Sequence, residues 1–394
     1  MAGKGAQIRD DRGGRVFLAG YVALVLTVML ATLAPASPAE GRVRVNASFD
    51  LRETYDNNAF LFRRSRVEDF ITNISPMISA SYRGPRLAID LESGASFYIY
   101  GRNENLDDQF FHQRFRLEYK LGPRLSLEAE NLYTYVTETI GRPDDLTSNL
   151  VQSNSWRVGP IFRSDLGGRS RAEIKASYGG TNYIHGDFNG GQDPDFGEAR
   201  ASLYLDRELT ERVLVYTTQE FTRRDFAEVG DATFSGLLSE AGLRWRIGRT
   251  VSVDLSGGYQ WLRFDKVGTE SGNIIDVAIH YTPTFRTRFT AGYSQLFTSD
   301  VLGKVFKQDR VSLEVERQIG PRTLLQLTSF YSQLELRKAS PSDDNFFGGG
   351  VRLDHKLRRH LHLTSEWNWW QNAGALNTDD YERMRGMMGL KYEF

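Results

Sequence analysis

The stretch Gly389-Leu390-Lys391-Tyr392-Glu393-Phe394 decides the fold. With Met388 before it, every second residue is apolar and the last one is aromatic. In a soluble protein a chain end frays, and an exposed terminal ring gains nothing there. In a closed barrel crossing a membrane, the last strand pairs with the first and its outward side chains meet lipid. The stretch is therefore expected to be a closing strand. Met388, Leu390, Tyr392 and Phe394 would face lipid, while Lys391 and Glu393 face inward.

The same alternation runs back to the start of the chain. Val43, Val45, Ala47, Phe49 and Leu51 alternate with Arg44, Asn46, Ser48, Asp50 and Arg52. Leu87, Ile89 and Leu91 alternate with Asp90 and Glu92, and Val251, Val253 and Leu255 with Ser252, Asp254 and Ser256. No stretch keeps a helical period, so these are half-apolar strands long enough to cross a bilayer at a tilt. Tight Gly-containing turns at Arg83–Arg86, Leu121–Arg124, Ile247–Thr250 and Ile319–Arg322 are one kind of connection. Longer polar loops at Ile140–Leu150, Ile184–Gly197, Asp265–Gly272, Lys338–Asn345 and Ala373–Asp380 are the other. Short inner turns and long outer loops are the asymmetry of outer-membrane barrels.

Strand centres fall near Phe49, Ile74, Phe97, Phe115, Ala129, Val158, Ala176, Ala201, Val215, Leu243, Leu255, Val277, Ala291, Leu313, Leu327, Val351, Leu363 and Met388. The expectation is an all-β, antiparallel up-and-down transmembrane barrel of about eighteen strands, or about sixteen if the weaker segments at Val158 and Val215 are not strands. An even count returns both termini to the periplasm.

Residues 1–39 have the layout of a secretory signal peptide: basic Lys4, Arg9, Arg12 and Arg15, an apolar run from Val16 to Ala34, then small residues and two prolines. The barrel is expected over residues 40–394. Mean hydropathy is -0.44 and charged residues make up 25%, which excludes a polytopic helical membrane protein. A barrel strand turns only alternate residues to lipid, so polarity is no obstacle to it. There is no cysteine, hence no disulfide framework or thiol chemistry. With 49 basic and 50 acidic residues the net charge is -1, and nothing calls for a nucleic-acid partner.

The polar face is the functional one. Its candidates to line a lumen are Arg44, Arg52, Asp90, Glu92, Arg114, Arg116, Glu128, Glu130, Arg244, Arg246, Glu314, Arg352, Arg383 and Arg385. Both signs occur as neighbours, which suits cross-strand ion pairs stiffening the wall as well as a field across a water-filled passage. Rings such as Phe97, Tyr183, Trp261, Phe297 and Trp367 near the loops, and Tyr119, Phe162, Trp245, Tyr281 and Tyr392 near the turns, suit two interfacial girdles. Tyr98, Tyr204 and Tyr216 share the polar face and could stack on sugars. Of the histidines, His185 with Asp187 is the only plausible acid–base pair at the loop end, and neither a nucleophile nor a third metal ligand accompanies it. No catalytic residue, cofactor or metal is expected.

Two resemblances add to this. The ending resembles the C-terminal signature of bacterial outer-membrane barrels, with Leu390, Tyr392 and Phe394 as the residues that the barrel assembly machinery would read. Tyr55-Asp56-Asn57-Asn58, followed by Asp69-Phe70-Ile71-Thr72 and Pro76, resembles the start of the beta-barrel porin 2 type families of Gram-negative bacteria. That resemblance implies an outer-membrane protein among lipid and lipopolysaccharide, and a role in export for some members. The leading expectation is a channel for small solutes. A port for a secreted exopolysaccharide, served by a periplasmic export partner, and a non-conducting structural or adhesion barrel are the alternatives.

Overall fold

The computed structural model describes residues 41–58, 68–104, 107–137, 150–185, 195–227, 233–266, 268–299, 305–337, 343–374 and 381–394. They form β1 (Arg42–Asp56), β2 (Asp69–Arg83), β3 (Leu87–Tyr100), β4 (Asp108–Lys120), β5 (Leu125–Thr137), β6 (Leu150–Gly167), β7 (Ser170–His185), β8 (Phe196–Thr210) and β9 (Val213–Phe226). The second half is β10 (Phe234–Ile247), β11 (Val251–Phe264), β12 (Gly268–Thr284), β13 (Thr287–Ser299), β14 (Val305–Gly320), β15 (Thr323–Arg337), β16 (Asp343–Arg358), β17 (Leu361–Gly374) and β18 (Tyr381–Glu393). Each predicted strand centre lies in its own strand, those at Val158 and Val215 included, so the count is eighteen. Among the described residues no helix is long and apolar enough to cross a membrane. The expected signal peptide lies outside the described residues.

All strands join one antiparallel sheet in which each pairs with its chain neighbours, and β18 pairs with β1 to close the ring. Closure satisfies the backbone groups that an open edge would leave bare in lipid. At the seam Phe49 lies opposite Tyr392 and Leu51 opposite Leu390, so the apolar rows meet without a break in phase. Met388, Leu390, Tyr392 and Phe394 are exposed on the outer face as expected, and the Phe394 N–H donates to the Ala47 carbonyl at 2.9 Å.

Strands run 13 to 18 residues. A tilted strand needs only about 9–11 to cross the hydrocarbon, so the wall continues beyond the bilayer. The connections β2–β3, β4–β5, β6–β7, β8–β9, β10–β11, β12–β13, β14–β15 and β16–β17 span two to four residues and lie at the same end as Arg42 and Glu393. At Gly168-Arg169 both turn residues have positive φ (56° and 67°), the mirror-image turn whose twist matches a hairpin.

The opposite end holds the longer connections, with two corrections. Asp265–Gly272 is not a long loop, because β12 begins at Gly268. Lys338–Asn345 is likewise shortened by β16 starting at Asp343. In both places polar residues continue the ladder above the lipid, where alternation no longer distinguishes strand from loop.

Candidate functional site

Register places the charged residues on one face of the sheet. Glu92 lies opposite Arg114 and Asp90 opposite Arg116, which in turn faces Glu130, and Glu130 faces Arg157. Arg244 faces Asp254, Arg352 faces Glu366, and Arg385 faces Asp56 across the seam. The intervening positions hold the exposed apolar side chains, Val43, Phe49, Leu255, Val351 and Leu390 among them. Two contacts identify the charged face as the concave one. Arg163 on β6 reaches Glu118 on β4 at 3.4 Å, and Arg157 on β6 reaches Glu198 on β8 at 3.2 Å, each across an intervening strand.

Most of these charges are paired along or across strands. Arg116 meets Glu128 at 2.6 Å and Arg114 meets Glu130 at 3.2 Å. Arg244 meets Asp254 at 2.7 Å, Arg352 meets Asp354 at 2.8 Å, and Arg52 meets Asp50 at 2.6 Å. Arg83 grips Asp90 with one guanidinium nitrogen, 2.6 Å from one oxygen and 2.8 Å from the other. Glu314 accepts from Gln326 at 2.5 Å. The arginines remain about half exposed, so each pair contributes less than about 1 kcal/mol. Their collective effect is a wall whose charges hold fixed positions.

Glu198 and Asp206 on this face are instead buried. Glu198 gathers Arg157, Arg200 and Arg224 at 3.2, 3.1 and 2.7 Å, and Asp206 takes Arg171 at 3.0 Å. The sequence reading did not single out Glu198, Arg200 or Arg224. Their shared parity with Glu220 was the available signal.

A cluster at the loop end gives the Tyr-Asp-Asn motif a physical role. Arg383 lies against Asp56, Nη2 to Oδ2 at 2.5 Å, with the two side chains only 9% and 1% exposed. Asn57 extends the seam past the end of β1: its N–H donates to the Met384 carbonyl at 3.1 Å, and its Oδ1 accepts the Met384 N–H at 2.6 Å. The Asn58 amide donates to the Glu382 carbonyl at 3.1 Å. Asp69 accepts the backbone N–H groups of Phe70 and Arg102 at 2.7 and 3.0 Å and the Asn103 amide at 2.6 Å, binding the β3–β4 connection to β2. Beside it, outside the strands, the Arg102 guanidinium and then the Tyr55 hydroxyl hold the Glu68 carboxyl below its ordinary value. Sequence reasoning noticed the motif and placed Arg383 on the inner face, but did not connect them. Register across the two chain ends makes that connection.

The loop-end rings depart from the expected girdle. Trp261, Phe97 and Trp367 are exposed outside, whereas Tyr183 and Phe297 are 5% and 2% exposed. Phe297 packs with Phe226, Phe234, Leu262, Phe264 and Val305, an apolar cluster where the strands rise past the hydrocarbon. Arg224 stacks over Phe196, 4.3 Å from the ring centre. The tyrosines considered for sugar stacking pack on neighbouring rings: Tyr204 lies 5.9 Å from Tyr216, and Tyr98 lies 5.1 Å from Phe110. Arg286 sits in the β12–β13 turn, over Phe285 at 5.0 Å.

Among the described residues no group of His and acidic side chains could hold a metal. His280 bonds Thr290 at 3.2 Å and lies 3.5 Å from Asp254, as part of the wall network. Asp187 lies outside the described residues.

The family model described as Putative beta-barrel porin 2 matches residues 40–394. The chain belongs to this family. No curated protein matches this porin at a significant level. Its fold is shared, at low identity, by solved structures that include an outer membrane protein. The outer membrane protein OpdK of Pseudomonas aeruginosa has a TM-score of 0.56 and 13% identity, covering 89% of this chain and 99% of that one. OccK9 (OpdG) of the same organism gives 0.54 and 14%, over 89% and 98%. OccAB4 of Acinetobacter baumannii gives 0.53 and 10%, over 91% and 100%. Family and fold together place the porin in the bacterial outer membrane and point to a channel rather than an enzyme.

Proposed function

We propose that the porin passes small hydrophilic solutes by diffusion through a water-filled lumen whose surface is the mixed-charge wall. Arg44, Arg52, Asp90, Glu92, Arg114, Arg116, Glu128, Glu130, Arg244, Arg246, Glu314, Arg352, Arg383 and Arg385 line it in this reading. The observation that carries it is the half exposure of paired charges such as Arg114 and Glu130 (56% and 40%) on the concave face. Charges kept hydrated inside a ring too wide for its own side chains to fill make an aqueous passage.

In the same reading the termini and tight turns face the periplasm, and residues 1–39 act as a signal peptide and are removed on export. The loop end faces outward among lipopolysaccharide, and Leu390, Tyr392 and Phe394 are read by the barrel assembly machinery. The inner tyrosines pair with single neighbouring rings rather than forming a continuous track along the lumen, which gives a polysaccharide port with a periplasmic partner little support.

Because the native chain has no cysteine, single cysteines test the lining directly. Arg244→Cys and Arg352→Cys should react with a charged thiol reagent added to the water, with a stepwise fall in current through single channels. Labelling that leaves the current unchanged at both positions would refute the assignment.

A further inference from the structure

The wall between β5 and β9 contains a recess of about 290 Å³. Its floor is nearly bare backbone. A Cβ on Gly159 would lie 1.9 Å from the Ala176 carbonyl oxygen, so no side chain fits there. The β6–β7 ladder skips Gly159 and Pro160 opposite Ala176 and Ser177, and Pro160 has no N–H to give. Ser177 and Ser202 supply hydroxyls at the same level.

Charge is ordered around this floor. Arg157, Lys175 and Arg200 stand at the centre, with Glu128 and Glu130 on the β5 flank and Glu220 on the β9 flank. Each cation has an acidic partner outside the recess. Glu198, which does not line it, holds Arg157 at 3.2 Å and Arg200 at 3.1 Å, and Glu173 holds Lys175 at 3.0 Å. On the β5 side Arg116 and Arg114 hold Glu128 and Glu130 at 2.6 and 3.2 Å. The groups are thus positioned before any solute arrives, which lowers the ordering cost of binding. On the β9 side Glu220 stands 3.6 Å from the Arg200 Nε, an ion pair that ties the centre of the recess to its flank.

We propose that this recess is a wall subsite for small zwitterionic solutes of the α-amino acid type. The solute carboxylate docks among Arg157, Lys175 and Arg200, with Ser177 and Ser202 donating beside it. The ammonium group turns to Glu220 or to the Glu128–Glu130 flank. A simple anion would satisfy the centre but meet carboxylates on both sides, and an uncharged polyol would use neither. This assignment rests on the solute-passage reading above.

The test is swelling of proteoliposomes containing the full chain, with L-glutamine, D-ribose and succinate as probes. Glutamine and ribose have nearly the same mass and differ in charge separation. Glutamine is expected to enter about fivefold faster than ribose, the preference a weak screened ion pair supports. Arg200→Gln and Glu220→Gln should each bring the ratio close to unity, while heat-modifiable gel migration confirms that the barrel has formed. Equal rates for glutamine and ribose in the native chain, faster entry of succinate than of glutamine, or an unchanged ratio in both variants would overturn the subsite. Potassium chloride current separates the two levels: no current removes the channel reading, whereas current without glutamine preference removes only the subsite.

Discussion

Asp56 and Arg383 show how much one pair of residues from opposite chain ends can carry. The Asp56 side chain is 1% exposed and holds a guanidinium that is itself nearly buried. Removing one partner strands a buried charge, at a cost of about 3–5 kcal/mol. Asp56→Ala should therefore lower the unfolding midpoint in urea far more than Arg116→Gln, whose pair is half exposed and worth less than about 1 kcal/mol. Equal shifts would show that the seam does not depend on the clasp. Glu68 gives a sign for pH. Its folded value lies below the ordinary 4.5, so the contact with Arg102 is fully stabilising above that value and is lost as pH falls through the lowered one. Protection of the β3–β4 connection against hydrogen exchange, taken relative to the intrinsic amide rate, should fall on acidification below about pH 4.5, and Glu68→Gln should weaken that dependence. The Tyr-Asp-Asn motif was visible in the sequence. Its role was not, because the partner stands 327 residues away and only the register of a closed ring brings it near.

Strands were more legible than the ends of strands. Within the hydrocarbon the two faces meet different solvents, so a period of two is enforced and each strand centre could be located. Past the hydrocarbon both faces are wet or packed on other protein, and the pattern weakens. That is why Gly268–Ser271 looked like loop yet continues β12, and why Phe297 looked like a girdle ring yet packs inward. The turns allow a direct check. Gly168 has φ near +56°, a conformation in which a β-branched side chain costs roughly 1–2 kcal/mol, so Gly168→Val should destabilise the β6–β7 hairpin. Gly122→Ala, with open space around the added carbon and no positive φ, should be nearly neutral. The closing strand makes a different prediction. Deleting Phe394 removes one backbone bond to Ala47 but should impair assembly into the membrane much more than it lowers the unfolding midpoint of the barrel that does form. Native surface levels of the truncated chain would contradict an assembly role for the ending.

At the scale of the whole molecule, eighteen strands close with their apolar and charged rows in phase around the entire ring. The sequence revealed this from alternation and two classes of connection. It could not reveal which charges would neutralise one another, since that depends on register and on reach across the concave face, as with Arg163 and Glu118. The outcome is a wall of positioned, hydrated ion pairs with an inner recess, which accounts for a passage that admits polar solutes. Water and ions should cross this ring. Purified porin in a planar lipid bilayer should give discrete current steps in potassium chloride, with unitary size rising with salt concentration. A bilayer that receives folded, heat-modifiable barrel and stays silent at every applied voltage would contradict the account.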